Sequence, residues 1–150
     1  MPKSGPKHSA ACSDFAAIGA LNVERMTRRA LTQRVMDALA PGAQPLAVAF
    51  CNAHTAEIAL RDATYREALD RFCVVNDGIG LEIAVRILER RGFPENLNGT
   101  DFVPALFGDV PKGSRIYLLG AAPGVAEEAG RRFLERFPHL ELAGARHGGA

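Results

Sequence analysis

Strand-like apolar runs alternate with longer amphipathic segments along most of this 150-residue sequence. The run at residues 46–51 is apolar at every position, which is typical of a strand covered on both faces within a parallel sheet. Further strand-like runs lie at residues 72–75, 114–119 and 141–145, and helical patterns separate each run from the next. Strands joined by helical crossovers form parallel sheets with right-handed connections. The alternation therefore predicts an α/β fold.

The predicted architecture is a Rossmann-like parallel sheet with helices on both faces, in one domain from residue 15 onward. Residues 1–14 are polar and interrupted by proline and glycine, so we predict a disordered leader there. We expect the sheet to be incomplete at its C-terminal end. The remaining expected elements are a strand-like run at 15–21, a helix capped by Thr27 and ending near Leu39, helices at about 55–72 and 80–90, a short helix at 101–106 capped by Thr100, and a helix at 125–137. In the helix at 80–90, the predicted apolar face comprises Leu81, Ala84, Ile87 and Leu88.

Charge and cysteine content exclude several classes of protein. The 18 Lys and Arg residues nearly balance the 17 Asp and Glu residues, whereas a nucleic-acid-binding domain of this size usually carries a basic stripe. We therefore expect no nucleic-acid partner. Three cysteines without CxxC spacing predict neither disulfides nor a metal site, and they favour a reducing cytoplasm. No apolar stretch approaches the roughly 18 residues of a membrane span, so any membrane association is expected to be peripheral.

Three loops follow predicted strands, and ligands of open α/β sheets bind beyond the carboxyl ends of strands. The most informative loop contains Asp77, followed by Gly78 and Gly80. Glycines let a ligand approach the backbone closely, and a carboxylate there can act as a general base toward an attacking hydroxyl. The same residues also fit a tight turn with an Asx cap, and spacing alone does not decide between the two. Gly78 and Gly80 begin a dinucleotide-binding fingerprint, but Ile83 stands where the third glycine belongs, so the match fails.

The other two loops carry weaker signals. Gly120 to Gly124 lies at a strand-to-helix junction, where backbone N–H groups can bind a phosphate or where proline merely starts a helix. Asn52 and His54 offer an amide and an imidazole at a strand end, although a lone histidine is more often a surface or capping residue. No carboxylate–histidine cluster or Asp-x-Asp motif is present, so we expect neither a metal nor a cofactor.

Taken in order, these loops resemble those of the WecG/TagA/CpsF family of glycosyltransferases. The resemblance covers roughly residues 17–150, and no single motif in it is decisive. The matching segments are Asn52-Ala53-His54, Asp77-Gly78-Ile79-Gly80, Gly99-Thr100-Asp101, Ile116-Tyr117-Leu118-Leu119-Gly120-Ala121-x-Pro123-Gly124-Val125, and Phe137-Pro138-x-Leu140 with Gly144.

The resemblance implies a metal-independent, inverting transfer of N-acetylmannosamine or its uronic acid. The donor would be a UDP-sugar and the acceptor an N-acetylglucosamine on undecaprenyl diphosphate, in the synthesis of cell-surface polysaccharides at the inner face of the cytoplasmic membrane. By position, Asp77 is the implied base, Asn52 lines the donor pocket and the Gly120–Gly124 turn lies near the nucleotide. The further implied substrate-binding residues are His54, Gly78, Gly80, Gly99, Thr100 and Asp101.

The sequence also departs from the family pattern. Phe50 replaces a threonine and Asn76 replaces a proline, while Asn96 stands where an arginine usually precedes the Gly-Ser/Thr-Asp block. A phosphate- or sugar-binding cation is then missing unless Arg90 or Arg91 substitutes. Gly148-Gly149-Ala150 replaces Gly-Tyr-Phe, and we expect the chain to represent the N-terminal two-thirds of the family domain.

Three hypotheses follow from the sequence. The first is an active glycosyltransferase of this family or a segment of one. The second is a truncated, non-catalytic paralogue, and the third is a generic Rossmann-type nucleotide-binding module, which the failed glycine fingerprint disfavours. An unpaired edge strand would also favour a homo-oligomer, because such edges tend to find a partner.

Overall fold

Strands and helices alternate through the computed structural model, which describes residues 14–149. The described residues form two compact units, divided in the sequence between Gly99 and Thr100. The first unit contains β1 (Phe15–Ile18), β2 (Leu21–Glu24), α1 (Arg28–Ala38), β3 (Val48–Cys51), α2 (Ala53–Arg61), α3 (Ala63–Leu69), β4 (Cys73–Asn76) and α4 (Ile79–Glu89). Helix α5 (Gly99–Asp109) is followed in the second unit by β5 (Arg115–Leu119), α6 (Val125–Arg136) and β6 (Glu141–Arg146). The predicted α/β class is confirmed.

The sheet of the first unit has the strand order β1-β2-β4-β3, with β2 and β3 both parallel to the central strand β4. Strands β1 and β2 form an antiparallel hairpin, so the prediction of one strand-like run at 15–21 was wrong. The chain reverses at Gly19 and Ala20, and Gly19 has a φ of 59°. A positive φ at the first central residue is typical of a type II′ hairpin turn, which favours glycine there. A Cβ at this position would also lie 2.5 Å from Leu60 Cδ2.

The core of the first unit lies against this sheet. All four residues of β4 are buried, as expected of a central parallel strand. Helices α2 and α4 contribute Ala56, Ala59, Leu81 and Val85 to the main cluster of buried side chains. The other buried members are Ala16, Ile18, Leu21, Val23, Cys51, Leu69, Val74 and Phe93.

Two helix predictions need correction. The helix expected at 55–72 is two helices, because Asp62 has extended backbone angles and its carboxylate caps α3 by accepting from Tyr65 N at 3.1 Å. The predicted apolar face of α4 was wrong at Ile87 and Leu88, which are exposed, while Val85 is buried. Helix α4 is apolar on several sides, so its hydrophobic pattern does not single out the face that packs.

The second unit pairs β5 and β6 in parallel, and α6 packs against both strands. Phe107 of α5 contacts Phe133 and Phe137 edge-to-face, with ring centroids 5.1 and 6.0 Å apart. Such aromatic pairs stabilise a small core beyond the area that they bury.

Residues 1–13, which make up nearly all of the predicted leader, lie outside the described residues. Asp14 is described, and its carboxylate pairs with the guanidinium groups of Arg25 and Arg91. No helix within residues 14–149 is both long and apolar enough to cross a membrane.

Candidate functional site

Asp77 directly follows β4 at the carboxyl end of the parallel strands, where two backbone–backbone hydrogen bonds and one to a side chain fix its loop. Asp77 N donates to Cys51 O at 2.7 Å, which ties the loop to β3. Gly78 N donates to Asn96 Oδ1 at 2.8 Å, and Leu97 N donates to Asn76 O at 3.2 Å. The loop is therefore held from both sides, by the neighbouring strand and by the segment at residues 92–97.

Further hydrogen bonds anchor the segment at residues 92–97. Phe93 N donates to Glu82 Oε2 at 2.8 Å, and Arg28 N, at the start of α1, donates to Glu95 Oε2 at 2.7 Å. The hydrogen bond from Phe93 is the main reason why the pKa of Glu82 lies below its usual value. These anchors position Asn96, whose role in supporting the Asp77 loop no sequence signal indicated.

The Asp77 side chain is half-buried and makes no hydrogen bond or ion pair with any described residue. Helix α4 starts at the N-cap Gly78 with no side-chain capping bond. The alternative interpretation of this loop, a turn closed by an Asx cap, is therefore not what the structure contains. The carboxylate sits beside Cys51, and its charge adds to burial in raising the pKa of that thiol to about 11. Cys51 thus stays protonated and is a poor nucleophile.

Glycine occupies positions 78 and 80 for different structural reasons. Gly78 has a φ of 97°, where side chains are strained, although a Cβ there would meet nothing within 4 Å. At Gly80, a Cβ would lie 3.5 Å from the Cβ of Ala53. The starts of α4 and α2 therefore lie side by side, which brings the loops after β4 and β3 together.

Asn52 and His54 flank the start of α2. Asn52 is its N-cap, and Oδ1 accepts from Thr55 N at 2.9 Å and from Thr55 Oγ1 at 3.2 Å. His54 lies exposed in the first turn of the helix. The amide oxygen of Asn52 thus has a structural role, and Nδ2 has no partner among the described residues.

Asn76 is the least expected feature of the site. It is the last residue of β4, with 0% of its surface exposed, and neither Oδ1 nor Nδ2 has a hydrogen-bond partner among the described residues. Sequence reasoning placed Asn76 in the loop and so missed a buried amide. Buried polar groups without partners are rare and occur at functional or strained positions.

Gly99 lies against the ring of Phe50 on β3, since a Cβ at Gly99 would be 3.2 Å from Phe50 Cδ2. Helix α5 begins at Gly99, so Thr100 lies inside its first turn with Asp101 and is not its cap as predicted. Capping cues in a sequence locate a helix start only to within one or two residues.

Neither Arg90 nor Arg91 lies near Asp77. Both follow the far end of α4, and at 1.5 Å per residue Arg90 is about 15 Å along the helix from Gly80. Arg91 also pairs with Asp14. The position that the resemblance reserves for a cation is filled by the neutral amide of Asn96.

The Gly120–Gly124 turn belongs to the second unit. Gly120, Ala121 and Gly124 have φ values of 132°, 61° and 85°, and Gly120 N donates to Arg146 O at 2.9 Å. Helix α6 begins at Gly124 without a side-chain cap, but Glu127 and Glu128 stand in its first turn. The Arg131 and Arg132 guanidinium groups lower the pKa of Glu128 to about 2. These carboxylates already complement the positive end of the helix dipole.

Within residues 14–149, no three His, Cys, Asp or Glu side chains form a cluster that could hold a metal ion. The sequence model described as the glycosyl transferase WecG/TagA/CpsF family matches residues 16–150 of the chain. A search of curated proteins found no match to this chain. The family match therefore covers parts of both units and every candidate site residue.

Proposed function

The chain belongs to the WecG/TagA/CpsF family of glycosyltransferases, and we propose that it moves an N-acetylmannosamine-type sugar from a UDP donor to an undecaprenyl-diphosphate-linked N-acetylglucosamine. The transfer inverts the anomeric carbon, needs no metal ion and serves the synthesis of a cell-surface polysaccharide. The protein works in the cytoplasm, at the inner face of the membrane that holds the lipid-linked acceptor.

The observation that carries the proposal is that Asp77 combines a fixed backbone with a carboxylate that has no partner among the described residues. Its backbone is fixed by Cys51 and, through Gly78, by Asn96, while its carboxylate has no partner among the described residues. A general base requires both a defined position and a lone pair that no other group occupies. Asp77 meets both requirements at the edge of the sheet where ligands bind.

In the proposed step, the Asp77 carboxylate accepts the proton of the acceptor hydroxyl as that oxygen attacks C1 of the donor sugar. The bond from C1 to the β-phosphate oxygen breaks, and its electron pair leaves with UDP. A single displacement inverts the configuration at C1, and no sugar–enzyme bond forms.

Charge that develops on UDP needs nearby donors. Helix α4 starts at Gly78 with no side-chain cap, and uncapped helix N-termini favour phosphate groups. This supports a role for the turn at Gly78 and Gly80 in binding the diphosphate. The proposed binding set also contains Asn52, His54, Gly99, Thr100, Asp101, Gly120 and Gly124.

The test is a transfer assay with the 150-residue chain, a panel of UDP-N-acetylhexosamines and a short-chain polyprenyl-diphosphate N-acetylglucosamine. We expect UDP release coupled to formation of a lipid-linked disaccharide, inverted at C1 and unaffected by EDTA. Product with retained configuration would refute the single displacement.

Isothermal titration with UDP separates the alternatives. Binding of UDP without any transfer would support a non-catalytic nucleotide-binding paralogue instead. Neither binding nor transfer would refute the proposed function for this chain.

A further inference from the structure

A cavity of about 460 Å³ opens on the sheet of the first unit, and small-molecule sites usually measure roughly 300–1,000 Å³. The strand register pairs Phe15 with Glu24 and Glu24 with Val75, and directly paired residues share a face of the sheet. Asn22 and Cys73 each lie two residues before a member of this row, so they share the same face. We call this cavity the α1-face cavity. Its lining includes Phe15, Asn22, Glu24, Arg34 of α1, Phe72 and Cys73.

A buried carboxylate and a guanidinium lie side by side in the α1-face cavity. Glu24 is 7% exposed, and Arg34 Nη1 donates to Glu24 Oε2 at 2.7 Å and to Cys73 Sγ at 3.5 Å. Nε and Nη2 of Arg34 have no partners among the described residues, and a carboxylate can accept about four hydrogen bonds. The pair therefore has donors and acceptors left for a ligand.

The charges around the cavity balance, which favours a neutral ligand. Arg34 offsets Glu24, and Arg71 in the lining follows Asp70 directly in the sequence. Burial and the nearby Glu24 charge raise the pKa of Cys73 to about 12, so the thiol adds no charge at neutral pH. A phosphate or another small anion would find no excess of positive charge in this cavity.

Two phenylalanine rings supply the apolar part of the lining. Phe15 and Phe72 are 44% and 42% exposed, although phenylalanine is among the residues most often buried. Proteins hold planar bases by stacking aromatic rings on their faces and by hydrogen bonding along their edges. The cavity combines both kinds of group.

We infer that the α1-face cavity binds a guanine nucleoside through its base. Guanine presents two neighbouring donors, N1–H and the 2-amino group, beside the carbonyl oxygen O6. The Glu24 carboxylate accepts from the two donors, and the adjacent Arg34 guanidinium donates to O6. Adenine, cytosine and uracil lack such a pair of neighbouring donors, so they match Glu24 less well.

The α1-face cavity is separate from the candidate site. Cys73 begins β4 and Asp77 follows its end, so the two residues lie about 13 Å apart along the strand. The inference does not depend on the proposed function, because it rests on the lining of the cavity, its charge balance and the exposed rings.

Saturation-transfer NMR with the full chain and guanosine, a nucleoside without phosphate, tests this inference. We expect a dissociation constant on the order of 10–100 µM, as is typical of a ligand of this size. Inosine lacks only the 2-amino group, so it should bind roughly 10-fold more weakly, because Glu24 then loses one charged hydrogen bond. Adenosine and uridine should bind more weakly by at least about the same factor.

Glu24→Gln distinguishes recognition of the base from a merely structural role. It should weaken guanosine binding about 10-fold and remove the preference for guanosine over inosine. Glu57→Gln is the matched control, because Glu57 also pairs with an arginine but lies outside the cavity, and it should change neither quantity. Phe72→Ala, at an exposed ring, should weaken binding of both nucleosides about 5–100-fold through lost stacking.

Circular dichroism confirms that each variant is folded, and Phe72→Ala serves as the second variant should Glu24→Gln unfold. Absence of guanosine binding at millimolar concentration, or equal affinity for guanosine and inosine, would overturn the inference. So would an unchanged preference in folded Glu24→Gln. Binding of GMP without binding of guanosine would identify a phosphate site instead, and displacement of guanosine by UDP would place the nucleoside in the candidate site.

Discussion

Replacing Asn76 with leucine is expected to raise the free energy of unfolding. The Asn76 side chain is fully buried, and both of its polar atoms lack partners among the described residues. A buried polar group without a partner costs about 1–3 kcal/mol, and an apolar side chain of similar shape removes that cost. The backbone bond from Leu97 N to Asn76 O does not involve the side chain and stays intact.

We therefore expect Asn76→Leu to stabilise the protein by about 2 kcal/mol. For a chain of this length, that gain corresponds to a rise in Tm of about 4–8 °C. Denaturant titration and thermal melting measure the two quantities. Asn22→Leu is the control: Asn22 is an exposed strand residue, and its replacement should change stability by no more than about 0.5 kcal/mol.

A loss of stability of about 1 kcal/mol or more on Asn76→Leu would refute the reasoning. It would mean that the amide has hydrogen-bond partners in solution and that leucine breaks those bonds.

Three further substitutions test the anchors around the site. The pKa of Glu82 is lowered first by the hydrogen bond from Phe93, so its stabilisation is present above the usual value of 4.5 and is lost as the pH falls through the lowered value. Glu82→Gln should therefore lower the free energy of unfolding at neutral pH. It should also reduce the further loss of stability that acidic pH causes in the natural sequence. Arg25→Met should cost about 3 kcal/mol in urea unfolding, because the Arg25 side chain is 4% exposed, pairs with Glu89 and donates from Nε to Gly92 O at 3.2 Å. A loss below about 1 kcal/mol would contradict the anchoring role of these contacts. Gly78→Ala should cost about 1–2 kcal/mol through backbone strain and lower kcat, and an unchanged kcat would show that the loop tolerates displacement.

The α/β class follows from the sequence because buried parallel strands read as uninterrupted apolar runs, as at residues 46–51. The hairpin of β1 and β2 does not follow from such a pattern, because Gly19-Ala20 lacks the Asn-Gly or Asp-Gly signature of a type I′ turn, and a single glycine is a weaker cue for a hairpin. The division of the predicted helix at Asp62 was missed for a related reason. Asp62 Oδ1 accepts a capping hydrogen bond from Tyr65 N, but the helical spacing of apolar residues continues through this position. The sequence pattern therefore predicts one helix.

Helix α4 shows a limit of hydrophobic patterning. Leucine, isoleucine and valine occupy so many of its positions that several faces qualify as a core face, and only tertiary packing selects Leu81 and Val85. Ile87 and Leu88, which the sequence pattern assigns to the interior, are exposed.

The location of the candidate site was predictable, but the supports of that site were not. The sequence predicted Asp77 and Asn52 at the carboxyl ends of parallel strands, and both residues directly follow such strands. The hydrogen bond from Gly78 to Asn96 joins residues 18 positions apart, and no local pattern encodes such a contact. The capping role of Asn52 and the burial of Asn76 likewise depend on where neighbouring elements pack.

The most direct test of the central claim compares Asp77→Asn with the natural sequence in the transfer assay. Asparagine keeps the size of the side chain and removes its basicity, so we expect kcat to fall by about 10²–10⁴-fold with UDP affinity unchanged. Asp70→Asn, at an exposed aspartate that ends α3, should transfer at the natural rate. Undiminished turnover by Asp77→Asn would contradict the assignment of Asp77 as the base.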